Sequence, residues 1–237
     1  MGKTVMLYEG KAKKVWATED DALCIVSYKD DATAFNGLKK GTIVGKGSIN
    51  NRVSNFFMSI IEKRGVPTHV VKELNDRETL VKRVEIVPLE VIVRNIAAGS
   101  LAKRLGLEEG IVMSQPVIEF CYKNDELNDP MVNTSHIIAM NFATRKELDI
   151  ITKYSLIVNE VLQEILKEDN ITLVDFKIEF GREKDGTIIL ADEISPDTCR
   201  FWDSTTNEKL DKDRFRRDLG GVEDAYKEIL KRVMGKK

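Results

Sequence analysis

Residues 174–180, Val174-Asp175-Phe176-Lys177-Ile178-Glu179-Phe180, alternate between apolar and charged side chains, which is the period of a β-strand. Phe176, Ile178 and Phe180 share one face; Asp175, Lys177 and Glu179 share the other. A second apolar run, Ile188-Ile189-Leu190-Ala191, leads into Asp192-Glu193-Ile194, and Asp185-Gly186 between the two runs is a strong hairpin signal. With Asp185 and Gly186 as the central turn residues, the register predicts Glu179 directly opposite Asp192. Like charges facing across a sheet repel. A divalent cation would convert that repulsion into ligation, and Mg²⁺ suits a site of two carboxylates whose shell is completed by phosphates and water. The alternative is a solvated polar face on an antiparallel hairpin.

The rest of the chain gives further elements. Short strands are predicted over 5–9, ending at Gly10, and over 22–28. Between them Lys11-Ala12-Lys13 puts two lysines on one face, a phosphate cradle or a charged edge strand. Ile49, Val53, Phe56, Phe57, Ile60 and Ile61 predict an amphipathic helix over 48–63, stopped by Gly65 and Pro67. Strands follow at 68–71, 79–84 and 89–94. The strand at 89–94, with Glu90, Ile92 and Arg94 on one face, runs through Ala97-Ala98-Gly99-Ser100 into a short helix. Arg94, Ser100 and the helix N-terminus resemble a phosphate-monoester site, with Ser100 as a plain N-cap the alternative. Residues 120–135 read as a long polar loop. Thr144-Arg145-Lys146-Glu147 is a capping box opening a helix to about 169, with Leu148, Ile151, Leu156, Val158 and Leu162 facing inward. One or two helices, broken at Gly220-Gly221, finish the chain, with Phe215, Leu219, Tyr226 and Ile229 inward and a frayed basic tail at 235–237.

Two glycine motifs fail on spacing. Gly41-Thr42-Ile43-Val44-Gly45-Lys46-Gly47 is one residue short of a P-loop and lacks its final Ser or Thr, and Gly45-Lys46-Gly47-Ser48-Ile49-Asn50 has Asn at the third glycine of a dinucleotide fingerprint.

Composition narrows the class. Over 237 residues, 37 Lys and Arg stand against 39 Asp and Glu, a balance that carries no general nucleic-acid footprint. Cys24, Cys121 and Cys199 have no metal or disulfide spacing, which points to reduced thiols in the cytoplasm. No apolar run approaches the length of a membrane helix, and the N-terminus lacks a signal-peptide core. His69 reads as structural.

Several strings resemble one family in register over essentially the whole chain: Tyr8-Glu9-Gly10-Lys11-Ala12-Lys13, Pro88-Leu89-Glu90-Val91-Ile92-Val93-Arg94-Asn95, Lys123-Asn124-Asp125, Leu173-Val174-Asp175-Phe176-Lys177-Ile178-Glu179-Phe180-Gly181, Asp192-Glu193-Ile194-Ser195-Pro196-Asp197 and Asp211-Lys212-Asp213-Arg214-Phe215-Arg216. The family is the phosphoribosylaminoimidazole-succinocarboxamide synthases of purine biosynthesis. The resemblance implies an α+β, two-lobe fold related to ATP-grasp, with antiparallel sheets, flanking helices, an N-terminal nucleotide lobe over 1–84 and a second lobe over 85–237. It implies an ATP- and Mg²⁺-dependent ligase joining a carboxyaminoimidazole ribonucleotide to L-aspartate through an acyl phosphate, acting as a homodimer. It puts Lys11 and Lys13 on the ATP phosphates, backbone at Lys82 and Val84 on adenine, and Glu179 and Asp192 on Mg²⁺. Arg94, Ser100 and Arg200 would hold the 5′-phosphate. Glu90, Asp175 and Lys177 would line the imidazole carboxylate, while Lys123, Asp129 and Asp197 are the candidates for L-aspartate.

Rival readings separate on the same residues. A small-molecule kinase would share the nucleotide site without needing the Arg94–Ser100–Arg200 clamp. A nucleotide sensor would keep Lys11 and Lys13 without opposed carboxylates.

Overall fold

A computed structural model describes residues 2–34 and 37–235. Within the predicted basic tail, Lys236 and Lys237 lie outside the described residues. The first sheet takes β1 (Met6–Glu9), β2 (Lys13–Ala17) and β3 (Leu23–Tyr28) from the start of the chain. A separate hairpin, β4 (Asp31–Ala34) with β5 (Lys39–Thr42), leads into helix α1 (Lys46–Lys63). The sheet is completed by β6 (Val70–Asn75) and β7 (Glu78–Lys82), in the order β1-β2-β3-β7-β6.

The chain then crosses to a second sheet. It is built from β8 (Glu85–Ile96), helix α2 (Gly99–Leu105), β9 (Val112–Tyr122), β10 (Met131–Val132), the helices α3 (Thr134–Ala139) and α4 (Arg145–Glu168), and the strands β11 (Ile171–Arg182), β12 (Ile188–Ala191) and β13 (Cys199–Asp203). The order is β10-β9-β8-β11, and the far side of β11 is shared: β12 pairs with residues 179–182, β13 with residues 171–176. Every strand pairing in both sheets is antiparallel. Helices α5 (Asp213–Arg216) and α6 (Val222–Met234) follow. Among the described residues no helix is long and apolar enough to cross a membrane.

One core runs through most of the molecule. Phe176, Ile178 and Phe180 of β11, Val91 and Val93 of β8, Leu162 of α4 and Tyr226 of α6 belong to it. So do Ile49, Val53, Phe57 and Ile61 of α1, which therefore buries its apolar stripe against the second sheet's core. The first sheet keeps a small cluster of its own, Cys24, Val26, Tyr28 and Val81. Pro67 and His69 add backbone bonds to Leu190 of β12, 2.8 and 2.9 Å long, and so join the segment between α1 and β6 to the second sheet.

The predicted helices at 48–63 and 145–169 stand within two residues. Thr144 and Glu147 form the capping box reciprocally. Ser100 is inside α2 instead of capping it, since the N-cap is Ala98 and carries no side-chain bond. The strand predicted at 68–71 begins at Val70 instead, and the long loop expected over 120–135 is largely ordered into the end of β9, a 3-10 turn (Asp125–Leu127), β10 and α3. Leu156 and Leu219, expected inward, are exposed.

The hairpin register differs from expectation by one residue. Glu179 faces Ala191, not Asp192. The turn holds three residues: Glu183 N–H donates to Thr187 O, Gly186 N–H donates to Glu183 O, and Gly186 takes a left-handed φ of 85°. This is the turn-plus-glycine loop that competes with two-residue hairpins. A slip of one residue sends a strand side chain to the opposite face. Asp192 escapes that outcome because it lies past the end of β12 with φ 57°, which redirects its carboxylate to the polar face.

Candidate functional site

The polar face of β11 opens on a cleft between the sheets, and three cavities share its walls. The first, about 260 Å³, has apolar walls from Val15, Val26 and Val81 and is closed by Lys82, Arg83 and Val84 at the crossing between sheets. Gly181 is required here: a Cβ on it would lie 2.3 Å from Val84 Cγ2. The second, about 470 Å³, is lined by Gly10, Lys11, Lys13, Glu90, Lys123, Lys177, Glu179 and Asp192 among others. The third, about 190 Å³, contains Arg94, Ser100, Asp175 and Arg200. Glu179 and Asp192 wall both the first and second cavities, and Lys177 walls both the second and third. The three therefore adjoin in a row.

Lysines and carboxylates interleave along it. Lys177 Nζ donates to Glu90 Oε1 at 2.8 Å and to Glu179 Oε1 at 2.9 Å, and stands 3.9 Å from Asp192 Oδ2. Lys123 Nζ donates to the same Glu179 oxygen at 2.9 Å. Lys13 pairs with Asp192, and Lys11 meets Asp125 at 2.7 Å across the cleft. Burial works against the charge of Lys13, but Asp192 and Glu193 outweigh it and hold the ammonium above its ordinary range. Lys177 is likewise held high against burial by Glu179, Asp192 and Glu90. Asp192, which burial would raise, is held low by Lys13 and Lys177. Lys13, Lys177 and Asp192 are therefore charged at neutral pH.

Arginines dominate the 190 Å³ end. Arg94 is buried, donating from Nε to Glu119 at 2.7 Å, from Nη1 to Asp175 at 2.9 Å and from Nη2 to the Ser100 hydroxyl at 2.9 Å. Arg200 donates to both oxygens of Asp175 and, through Nε, to Asp213 at 2.9 Å. Asp175 is thus shared between two guanidiniums. Gly99 lets this happen, because a Cβ there would lie 2.4 Å from Arg200 Nη2, and its φ of 52° is itself a glycine conformation. The loop before β10 is shaped by Asp129, whose carboxylate accepts the Asn124 N–H at 2.8 Å.

Sequence reasoning missed part of this wall. Glu193, Lys212 and Arg216 line the 470 Å³ cavity, and Arg216 also reaches the 190 Å³ one. Burial raises the Glu193 carboxyl, with Lys13 opposing. It lowers Lys212, with Asp197 opposing. The Asp211-Lys212-Asp213-Arg214-Phe215-Arg216 string had marked the segment without assigning it.

Two carboxylates on one wall are a donor set of hard oxygens suited to Mg²⁺. Among the described residues no three His, Cys, Asp or Glu side chains gather into a metal cluster. An ion held by Glu179 and Asp192 would therefore complete its shell from phosphate and water.

The sequence profile of the SAICAR synthetases matches residues 6–233. The phosphoribosylaminoimidazole-succinocarboxamide synthase of Coprothermobacter proteolyticus is 62% identical over 233 residues, covering 98% of this chain and 99% of its own. A crystal structure of the Ehrlichia chaffeensis enzyme of that name superposes with a TM-score of 0.95 at 46% identity, covering 97% of this chain and 98% of its own. A SAICAR synthetase in complex with ADP superposes at 0.94, with 49% identity over 97% of this chain and 98% of its own. The α+β fold of antiparallel sheets and flanking helices, related to ATP-grasp, is the one these proteins share. The chain belongs to the SAICAR synthetase family, the ATP-dependent ligases that use aspartate in purine biosynthesis.

Proposed function

We propose that the row of three cavities seats ATP and the carboxyaminoimidazole ribonucleotide end to end, with L-aspartate entering beside the reacting carboxylate. The observation that carries this reading is the sharing of walls: Glu179 and Asp192 are common to the first two cavities, Lys177 to the last two. Adenine would occupy the apolar cavity against the backbone of residues 82–84. The phosphates would take Lys11 and Lys13, and the 5′-phosphate of the ribonucleotide the Arg94–Ser100–Arg200 end. Residues 1–84 would serve as the nucleotide lobe and 85–237 as the acceptor lobe, with α1 seated on the acceptor lobe's core. A homodimer in the cytoplasm completes the proposal; three buried, unpaired cysteines support a reducing compartment.

The chemistry follows from charge. A carboxylate is a poor electrophile because its oxygen does not leave. Transfer of the γ-phosphoryl group to that oxygen, with ADP departing, gives an acyl phosphate. The aspartate amine then attacks the acyl carbon, phosphate leaves and the nitrogen loses a proton. Bringing two anions into contact is mainly a matter of positioning and neutralisation. Lys177, with Glu90 and Asp175 on either side, orients the imidazole carboxylate toward the nucleotide. Mg²⁺ on Glu179 and Asp192 would neutralise phosphate charge. Lys123 and Asp129 line the 470 Å³ cavity, where aspartate would arrive.

The test is substrate dependence. Phosphate release that requires ATP, the ribonucleotide and L-aspartate together supports the ligase. ATP turned over to ADP with the ribonucleotide alone, at the full rate and without dependence on L-aspartate, would favour the kinase reading.

A further inference from the structure

We infer that Lys46 and Tyr226 are positioning residues for the ligation: they fix the Asp197 carboxylate between the 470 Å³ and 190 Å³ cavities and, through it, the Lys212 ammonium. The inference rests on the proposed reading in which the ribonucleotide spans those two cavities and shares the larger with the ATP phosphates.

Lys46 is the lysine of the glycine motif that fails as a P-loop, and its side chain explains why a lysine stands there. It is fully buried at the start of α1 and lines none of the three cavities. Its Nζ donates to Asp197 Oδ2 at 2.7 Å. Tyr226, fully buried on α6, donates its hydroxyl to Asp197 Oδ1 at 2.5 Å. The backbone N–H of Asp197 is tied to Ser195 Oγ at 3.1 Å. Each carboxylate oxygen thus accepts a bond from the core side, which fixes the orientation in which Asp197 faces the two cavities. The Lys212 Nζ stands 3.7 Å from Oδ2 and faces the 470 Å³ cavity, with its own backbone N–H on Pro196 O at 3.1 Å.

Stability alone does not account for this arrangement. Replacing a buried ion pair with apolar groups of similar volume is commonly neutral or stabilising. Lys46 and Tyr226 line none of the three cavities, and Asp197 is the cavity-lining residue to which both donate. Burial alone would raise the Asp197 carboxyl, and Lys212, Lys46 and Tyr226 together hold it low, so the anion that anchors Lys212 persists. Three elements far apart in sequence, α1, the segment after β12 and α6, converge on this one carboxylate.

Tyr226→Phe removes a single hydroxyl and keeps the ring in the core. Steady-state kinetics of this variant and the parent, with each substrate varied in turn, test the inference. The expected result is a KM for the ribonucleotide raised about tenfold, the scale of one lost hydrogen bond to a charged group, with the KM for ATP within about twofold. Loss of folded protein alone lowers apparent kcat and leaves both KM values in place, so it cannot produce that split. Lys46→Gln probes the other carboxylate oxygen and serves if Tyr226→Phe does not fold; the same selective rise is expected. Variants that fold with both KM values at the parent's level would overturn the positioning role. A parent protein without ribonucleotide-dependent turnover would instead contradict the reading of the cavities.

Discussion

Lys13 of β2 and Asp192 beyond β12 form an ion pair across the cleft, joining the two sheets through residues 179 positions apart. The proposed phosphate-binding lysine and the proposed metal-binding carboxylate are therefore partners of each other. Lys177 and Lys123 rest on Glu179 in the same way. Mg²⁺ and ATP would bind by partner exchange, the metal taking the carboxylates and the phosphates taking the lysines. Asp192→Asn should keep ATP affinity, since Lys13 is released to the phosphates. Turnover should fall at least about 100-fold, the scale for removing one preorganised electrostatic group. Calorimetric binding and a phosphate-release assay check the two halves, and unchanged turnover would remove Asp192 from the mechanism.

Arg94 and Arg200 should separate stability from binding. Arg94→Met leaves Glu119 and Asp175 buried without it and should destabilise the fold by about 3–5 kcal/mol. Arg200→Met, at a more open position, should fold and raise the ribonucleotide KM by about 10- to 100-fold with ATP unaffected. Denaturant unfolding and substrate-resolved kinetics distinguish the two; an equal effect of Arg200→Met on both KM values would contradict the assignment.

The contact of Gly181 with Val84 predicts a rescue. Gly181→Ala forces Val84 away from its place at the crossing, so the KM for ATP should rise about tenfold, the cost of a sub-ångström displacement in a fitted site. Adding Val84→Gly removes both the Cγ2 and the Cβ that the new methyl meets at 2.3 and 2.7 Å, and should recover most of the loss. A double variant no better than Gly181→Ala would show that the defect lies elsewhere.

His69 gives stability a pH dependence. Burial, with Lys13 adding to it, lowers this imidazole from 6.5 to about 4. The unfolded chain therefore binds a proton that the folded chain refuses, and stability present above 6.5 drains away as the pH falls toward 4. Melting temperatures of the parent and His69→Gln should diverge across that interval. Parallel curves, or an imidazole titrating near 6.5 by NMR, would contradict it.

Much of this was legible locally. The capping box at Thr144 and Glu147 is written in four consecutive residues, and the alternation at 174–180 gave the polar and apolar faces of β11 correctly. Residues 112–122 escaped notice as a strand because Ser114, Gln115 and Pro116 interrupt the apolar pattern there. The hairpin register failed because Asp185-Gly186 signals a turn without fixing its length, and only the left-handed backbone at Asp192 returned that carboxylate to the right face. Lys46 was unreadable: nothing near it in sequence announces a partner 151 residues away. The ligand assignments came from the family's strings, and the cleft brings those residues together.

The central claim is that the imidazole carboxylate is activated by phosphorylation. The direct measurement uses ribonucleotide labelled with ¹⁸O in that carboxylate, with ATP, Mg²⁺ and L-aspartate, followed by mass spectrometry of product and phosphate. The account predicts one labelled oxygen in the released phosphate, in step with product formation. Product formed with unlabelled phosphate would contradict it.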